Sequence, residues 1–229
     1  IIPKKGIQKK YIIWGTNYGS NDNKFIVPGE TQVTEVPKGV AHFLEHKMFE
    51  QENGKNSLDV LTALGVNANA YTTNNHTAYL YECTDNFYEA LDEFMDYVQH
   101  PYFTDKNVEK EKGIIGQEIM MYDDYPDWKV YLNALECMYH NNPVKLDITG
   151  TVETISHIDK EILYKCYNTF YNPSNMAMVI SGDFEPEKLL EEIKKRLIDK
   201  KANGEIKRIF EDEPKEIVKE KAVQNMEVS

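Results

Sequence analysis

Two neighbouring runs of strand-like sequence near the middle of the chain constrain the fold more than any other feature. Residues 66–72 and 77–83 favour extended structure, and the second run alternates Tyr with aliphatic residues. Asn74 and Asn75 lie between the runs, and asparagine tolerates the backbone conformations of a tight turn. The sequence therefore predicts an antiparallel hairpin, which requires a sheet in the fold.

The segments on either side of this hairpin predict further strands and several helices. Residues 1–20 predict a strand, a turn and a strand, residues 175–181 predict a buried strand, and residues 20–39 predict a loop rich in Asn, Asp, Gly and Pro. Helical spacing of apolar residues, or helix caps, predict helices at about 40–50, 57–64, 87–98, 104–123, from 126 onward, 159–170 and 186–198. Ser57 and Thr104 are the expected N-caps of the second and fourth of these helices. The apolar face of the fifth helix is expected to hold Trp128, Tyr131, Leu135 and Met138. Strands mixed with helices predict an α+β fold, with a mixed, mainly antiparallel sheet packed against the helices.

The last thirty residues differ in composition from the rest of the chain. Residues 200–229 are rich in Lys and Glu and contain few apolar residues, so they can bury little apolar surface. We therefore expect one domain at residues 1–199, followed at 200–229 by a linker or by the start of a truncated following domain. Because Ile1 begins a strand-like segment without an initiator Met, we expect a fragment or a processed form.

Composition argues against two broad classes of function. The formal net charge is −12, so the chain has no overall attraction for a phosphate backbone and nucleic-acid binding is not expected. No apolar run approaches the roughly 18 residues of a membrane span, so membrane association is not expected either. The three cysteines are far apart and form no CxxC pair, which predicts free thiols in a reducing compartment.

The segment from His42 to His46, with the pattern HxxEH, carries the clearest chemical signal. It lies in a helical pattern, where residues four apart share one face. Two imidazoles so placed can bind one zinc ion. Glu45 would lie beside the open position of that ion, where a carboxylate can accept a proton from water. The segment therefore predicts a zinc site; the alternative is a surface helix with two unrelated histidines and a solvated glutamate.

Catalytic zinc usually has three protein ligands, so a third is expected elsewhere. Glu111 and Glu118 lie in one predicted helix, and seven residues turn a helix by about 700°, nearly two whole turns. The two carboxylates therefore share a face. One could bind the metal while the other holds a ligand in place, although Glu111 also fits a solvated helix face.

Other residues have weaker claims to chemistry. The remaining histidines have no partner at helical spacing and are not expected to bind the metal: His76, His100, His140 and His157. The chain has no GxSxG segment and no phosphate-cradling glycine loop, so it shows no sign of a serine hydrolase or a nucleotide-binding protein. A structural zinc site is disfavoured, because such sites usually have four ligands rich in Cys and no cysteine here has that spacing.

The order of these motifs resembles the inverted-motif zinc peptidases, the family of pitrilysin, insulin-degrading enzyme and mitochondrial processing peptidase. The sequence around HxxEH, residues 40–49, is similar to that family's helix, and Gly-Gln-Glu118 follows well downstream. Residues 69–72 resemble its substrate-binding edge strand, and residues 171–176 resemble a later landmark. The resemblance covers most of residues 11–199 and is greatest for bacterial members that occur as pairs, one partner lacking the metal motif.

This resemblance implies roles for individual residues. His42, His46 and Glu118 match the metal ligands, so Zn²⁺ is the implied cofactor. Glu45 matches the general base, and Glu111 matches a supporting acidic residue near the metal.

The resemblance also implies how substrate binds. Asn69, Ala70 and Tyr71 match the segment whose backbone pairs with an extended substrate. An exposed strand edge offers unpaired N–H and C=O groups, to which a peptide can add as one more strand. The implied function is a zinc endopeptidase acting on small or unfolded polypeptides. The alternative is a non-catalytic subunit of the same fold that binds a peptide or a partner, although the full set of metal residues argues against it.

Family members are clamshells built from repeated domains of about this size, and their distal half lacks the metal. This chain matches one clamshell-half domain, the proximal one. The resemblance therefore implies a second clamshell-half domain and a homo- or heterodimer partner, with weak or no cleavage by this chain alone. The similarity to bacterial members, together with the predicted free thiols, predicts a cytoplasmic location.

Overall fold

The computed structural model describes residues 2–201 and 204–215. The strands in these residues are β1 (Ile2–Pro3), β2 (Lys10–Thr16), β3 (Lys24–Ile26), β4 (Val33–Glu35), β5 (Asn67–Thr72), β6 (Thr77–Cys83), β7 (Met176–Gly182) and β8 (Lys207–Arg208). The α-helices are α1 (Val40–Lys47), α2 (Ser57–Ala63), α3 (Phe87–Gln99), α4 (Asp105–Asp123), α5 (Pro126–Met138), α6 (Val152–Ser156), α7 (Lys160–Phe170) and α8 (Pro186–Arg196). Single turns of 3-10 helix lie at Pro143–Lys145 and Pro173–Asn175.

The predicted hairpin is part of a five-stranded sheet in the order β1-β7-β2-β6-β5. Strands β5 and β6 pair antiparallel, with Asn67 opposite Glu82 and Thr72 opposite Thr77. Strand β2 is antiparallel to both β6 and β7, and among the described strands only the β1–β7 pair is parallel. The α+β fold with a mainly antiparallel sheet is therefore confirmed. Strand β5 is at one edge of this sheet.

A second, three-stranded sheet lies in the order β4-β3-β8. Its β3–β4 pair falls within residues 20–39, so the loop predicted there is wrong in part. The two strands have three residues each, too few for their alternation to stand out from the turn residues around them. Strand β8 comes from the Lys- and Glu-rich tail, and Arg208 binds the buried Asp22 at 2.7 Å. A domain boundary at residue 199 stays a prediction.

The core lies between the main sheet and its helices. Ile12, Trp14 and Thr16 alternate along β2 and are buried, as expected for a strand with one face on a core. Phe94 of α3 is fully buried, and its ring lies edge-on to that of Tyr81 at 5.1 Å. Burial of an aromatic side chain of this size stabilises the fold by roughly 1.5–3 kcal/mol. The apolar side chains that recur at helical spacing along α3 thus pack on the buried face of the sheet.

One local sequence prediction needs correction. Ser57 was the expected N-cap of α2, but the cap is Asn56, whose side chain accepts a hydrogen bond from the Leu58 N–H at 2.9 Å.

Helix α5 begins at Pro126 as predicted, but none of its residues is buried, and Tyr131 and Met138 are about half exposed. Helix α5 packs mainly on α4 and on the 3-10 turn at Pro143–Lys145. In the described part of the chain, no further layer covers its apolar face.

Across the described residues, no helix combines the length and the apolar character needed to cross a membrane.

Candidate metal centre

Helix α1 holds both motif histidines inside the domain. It begins after Gly39, whose φ of 90° is in the left-handed region that favours glycine. A Cβ atom at Gly39 would lie 2.4 Å from the carbonyl oxygen of Thr149, so a larger residue would force the two segments apart. Phe43 and Leu44 are fully buried in the core. This burial fixes the rotation of the helix about its axis and therefore the direction of His42 and His46.

Helix α4 lies against α1 and supplies the carboxylates. Thr104 is its N-cap, as predicted: its hydroxyl accepts from the Asn107 N–H at 3.2 Å, and the Asn107 side chain accepts from the Thr104 N–H at 2.8 Å. Ile115 is fully buried. Glu111 and Glu118 lie on either side of it, about two turns apart, and both reach the histidines of α1.

His42, His46 and Glu118 converge on one point. Each offers one ligand atom, and these atoms all lie within 4.8 Å of one another. Nε2 of His42 lies 3.7 Å from Oε1 of Glu118, and Nε2 of His46 lies 3.5 Å from Oε2. Ligands about 2.0–2.1 Å from a tetrahedral zinc ion lie about 3.4 Å apart. The separations between the histidines and Glu118 therefore match what one zinc ion needs, and the set of two imidazoles and a carboxylate is a known zinc combination.

Glu111 lies behind His46, outside this set of ligand atoms. Its Oε1 is 3.2 Å from Nδ1 of His46, and its Oε2 is 3.4 Å from Nζ of Lys47. Burial raises the pKa of Glu111, but the hydrogen bond with His46 and the Lys47 ammonium outweigh burial and hold the pKa below its usual value. The geometry thus separates the two carboxylates that spacing alone left equivalent, with Glu118 among the imidazoles and Glu111 supporting one of them.

The two histidines differ in their surroundings. Burial, followed by the nearby His46, lowers the pKa of His42 to about 3, so His42 is neutral near pH 7 and its ring can act as a ligand. Burial also lowers the pKa of His46, but the hydrogen bond with Glu111 and the nearby carboxylates outweigh it and raise the pKa overall. The buried Nδ1 of His42 has no hydrogen-bond partner among the described residues. Of these two rings, that of His46 therefore has a carboxylate at Nδ1 and that of His42 has none there among the described residues.

Glu45 is buried beside the ligand atoms and is held by the sheet. Its Oε2 accepts a hydrogen bond from the Thr72 hydroxyl at 2.7 Å. Burial raises the pKa of Glu45; the Thr72 hydrogen bond and His46 oppose this effect but do not cancel it. A carboxylate with a raised pKa is a stronger base, which suits it to accept a proton from water near neutral pH.

The predicted substrate segment borders the same site. Asn69 and Ala70 line a cavity of about 330 Å³ together with Glu45, His46 and Glu111. The Ala70 N–H donates to the side-chain oxygen of Asn69 at 2.9 Å, so it points to the open side of β5. Tyr71 is 39% exposed, and its ring lies edge-on to that of His76 at 5.6 Å. The edge strand and the ligand cluster are thus parts of one continuous surface.

Two residues of this site were not predicted from the sequence. Thr72 holds Glu45 across a long stretch of chain, and no local pattern marks that contact. Lys47 touches Glu111 and has 0% side-chain exposure. The sequence could have pointed to Lys47 in one way, because the residues that flank HxxEH are otherwise apolar.

Both the sequence and the fold are similar to those of known proteins. The family model described as "Insulinase (Peptidase family M16)" matches residues 25–152, and the one described as "Peptidase M16 inactive domain" matches residues 157–229. A protein of Bacillus subtilis named "Uncharacterized zinc protease YmfH" is 51% identical over 194 residues, which cover 85% of this chain and 45% of that protein.

Solved structures show the same relationship. A crystallised protein from Alicyclobacillus acidocaldarius, described as an M16-like peptidase, superimposes with a TM-score of 0.87 at 42% identity, over 93% of this chain and 50% of the other. A protease from Helicobacter pylori has the same fold, with a TM-score of 0.77 at 21% identity, over 93% of this chain and 51% of the other.

The structure is an α+β domain with the fold of an M16-like peptidase, and it brings two histidines and a carboxylate together. The chain belongs to the insulinase family of peptidases, family M16. It spans about half the length of the relatives described above.

Proposed function

We propose that this chain is the zinc-binding, proximal half of an endopeptidase. The observation that carries the proposal is the convergence of His42, His46 and Glu118 beside a buried Glu45. The relative from Bacillus subtilis is itself named a zinc protease, which supports the choice of metal.

His42, His46 and Glu118 would hold the zinc ion and leave one position open for water. When bound, zinc supplies Lewis acidity that polarises a carbonyl group and lowers the pKa of water. Glu45 accepts the proton of the attacking water and later gives it to the leaving amine. Thr72 keeps the Glu45 carboxylate turned toward the ligand cluster through its 2.7 Å hydrogen bond.

The substrate is a small or unfolded polypeptide that adds to β5 as one more strand. Asn69, Ala70 and Tyr71 lie on this edge, and Asn69 and Ala70 line the cavity at the ligand cluster. Main-chain pairing holds any extended sequence, so it favours chains that have no stable fold of their own. A substrate bound in this way passes directly over Glu45.

The complete peptidase requires a second clamshell-half domain, in the same protein or in a homo- or heterodimer partner. This chain spans about half of its relatives. Groups that stabilise the reaction intermediate from the opposite side of the substrate would come from that second half. The chain alone would then bind zinc and peptide but cleave slowly.

Metal content tests the proposal directly. We expect about one zinc ion per chain after extensive dialysis, and a clear reduction in His42→Ala and Glu118→Ala. His100→Ala is the matched control, because His100 is exposed and pairs with Asp96 away from the site. A native chain that holds no zinc after reconstitution would contradict the proposal and would favour a non-catalytic subunit that binds a peptide or a partner.

A further inference from the structure

Lys47 is a buried lysine next to a proposed metal ligand. Its side chain is 0% exposed, which is rare for a lysine unless it is paired. Its neighbours Leu44 and Met48 are fully buried apolar residues. Burial of a charged amino group costs a large amount of free energy unless other groups compensate, so its contacts indicate why the residue is there.

Two carboxylates compensate the charge of Lys47. Its Nζ lies 2.5 Å from Oε2 of Glu50 and 3.4 Å from Oε2 of Glu111. The other oxygen of Glu111, Oε1, lies 3.2 Å from Nδ1 of His46. Lys47, Glu111 and His46 therefore form a continuous polar chain that ends at the ligand cluster.

We propose that Lys47 is a positioning residue of the metal site, which acts on His46 through Glu111. The inference rests on the proposed zinc site. The Lys47 ammonium holds one oxygen of Glu111 and so directs the other oxygen at Nδ1 of His46. With Nδ1 as the donor to Glu111, the lone pair of the ring is on Nε2, the nitrogen 3.5 Å from Glu118.

Stability alone does not account for this arrangement. A buried ion pair is often no more stabilising than apolar residues of similar volume, and methionine would fill much the same space among these neighbours. The chain instead places an ammonium where it contacts Glu111, the carboxylate that lies against Nδ1 of His46. His42 has no such support, since its buried Nδ1 is unpartnered among the described residues. Lys47 therefore gives the metal site one rigid imidazole.

Zinc affinity measures this role without any need for peptide cleavage. We would titrate the native chain, Lys47→Met and Lys47→Arg with zinc in competition with a chromophoric chelator. Lys47→Met keeps the volume and removes the charge, and we expect zinc to bind about tenfold or more weakly, as for other supports of metal ligands. Lys47→Arg keeps the charge and should recover most of the affinity. Lys106→Met, at an exposed position on α4, is the matched control and should bind as the native chain does.

A double-variant comparison separates positioning from packing. If Lys47 acts through Glu111, Lys47→Met should cause little further loss of zinc affinity in a Glu111→Gln background. This comparison also removes the buried unpaired carboxylate, so it remains informative if Lys47→Met alone does not fold. The absorption spectrum of the cobalt-substituted chain should change in Lys47→Met and return toward native in Lys47→Arg.

The outcomes distinguish this inference from the proposed function. Native and Lys47→Met chains with equal zinc affinity and equal cobalt spectra would overturn the role of Lys47 and leave the zinc site intact. An equal loss of affinity with and without Glu111 would show that Lys47 acts by packing, which also overturns it. A native chain that does not bind zinc would overturn the proposed function, and this inference with it.

Discussion

At the scale of single residues, three glutamates near one point have three different environments. Glu118 lies among the imidazole nitrogens. Glu111 accepts a hydrogen bond from Nδ1 of His46, and Glu45 accepts one from the Thr72 hydroxyl. The pKa of Glu111 is held down, largely by its hydrogen bond with His46 despite burial, whereas burial raises the pKa of Glu45. Neighbouring groups therefore make chemically identical side chains suitable for ligation, support and proton transfer.

Replacement of Glu45 by Gln tests the role of the base at this scale. Glutamine keeps the size of the side chain and can still pair with Thr72, but it cannot accept a proton. We expect zinc content to stay at about one ion per chain and peptide turnover by the assembled peptidase to fall by at least about 100-fold. Elemental analysis and a peptide-cleavage assay measure the two quantities.

Glu109→Gln is the control for that substitution, because Glu109 is exposed on α4 and pairs with Lys112. It should change neither zinc content nor turnover. If Glu45→Gln lost its zinc, Glu45 would be a ligand and its assignment as base would be wrong.

At the scale of elements, the site is a junction of two helices and one edge strand. Helix α1 is fixed by its buried face and by the close approach of Gly39 to Thr149. Helix α4 is capped by Thr104 and packs on α1. Strand β5 contributes Thr72 at its end and an open backbone edge. The proposed ligands, the proposed base and the proposed substrate edge are therefore placed by three separate elements.

Replacement of Ala70 by Pro tests the edge of β5 as the substrate strand. The Ala70 N–H points to the open side of the strand, so proline removes a donor for substrate without breaking the pairing with β6. We expect an unfolded peptide to bind about three- to tenfold more weakly, the loss of one hydrogen bond. Fluorescence anisotropy of a labelled peptide measures binding, with Glu45→Gln as the background so that no cleavage occurs.

Ala70→Val keeps the N–H and is the matched control for the proline. It should bind the peptide nearly as well as the unsubstituted chain. Equal peptide affinity in Ala70→Pro, with zinc content unchanged, would show that substrate does not pair with this edge.

At the scale of the whole molecule, the chain contains the ligand cluster but spans about half the length of its relatives. The family model described as an inactive domain matches residues 157–229, beyond the proposed ligands. In the proposed arrangement, groups that face the reacting carbonyl from across the cleft would come from a second half. Cleavage should therefore depend on a second half.

We expect this chain alone to cleave an unfolded peptide at least about 100-fold more slowly than a protein that joins it to a second clamshell-half domain, since loss of one group that stabilises the intermediate has that effect. Zinc content per ligand cluster should be the same in both. Initial rates at equal zinc concentration give the comparison, and equal rates would mean that this chain is catalytically complete.

Much of the fold could be predicted from local patterns, because they act over short distances. The hairpin at residues 66–83 and the helix capped by Thr104 depend on alternation, turn residues and capping, and the structure has both. The short strands β3 and β4 were missed because three residues carry too little pattern. The exposure of α5 could not be predicted, because periodicity does not show what covers a helix.

The sequence by itself determined that His42 and His46 share a helix face, that Glu45 lies beside them, and that Glu111 and Glu118 share another, because helical geometry alone sets those relations. Spacing left Glu111 and Glu118 equivalent, and only the family resemblance implied different roles for them. The contacts themselves, Glu118 with the imidazoles and Glu111 with His46 and Lys47, were decided by the tertiary structure. The Thr72 contact with Glu45 was also decided there. The packing of α1 against α4 and β5 sets these distances, and packing depends on residues far apart in the chain.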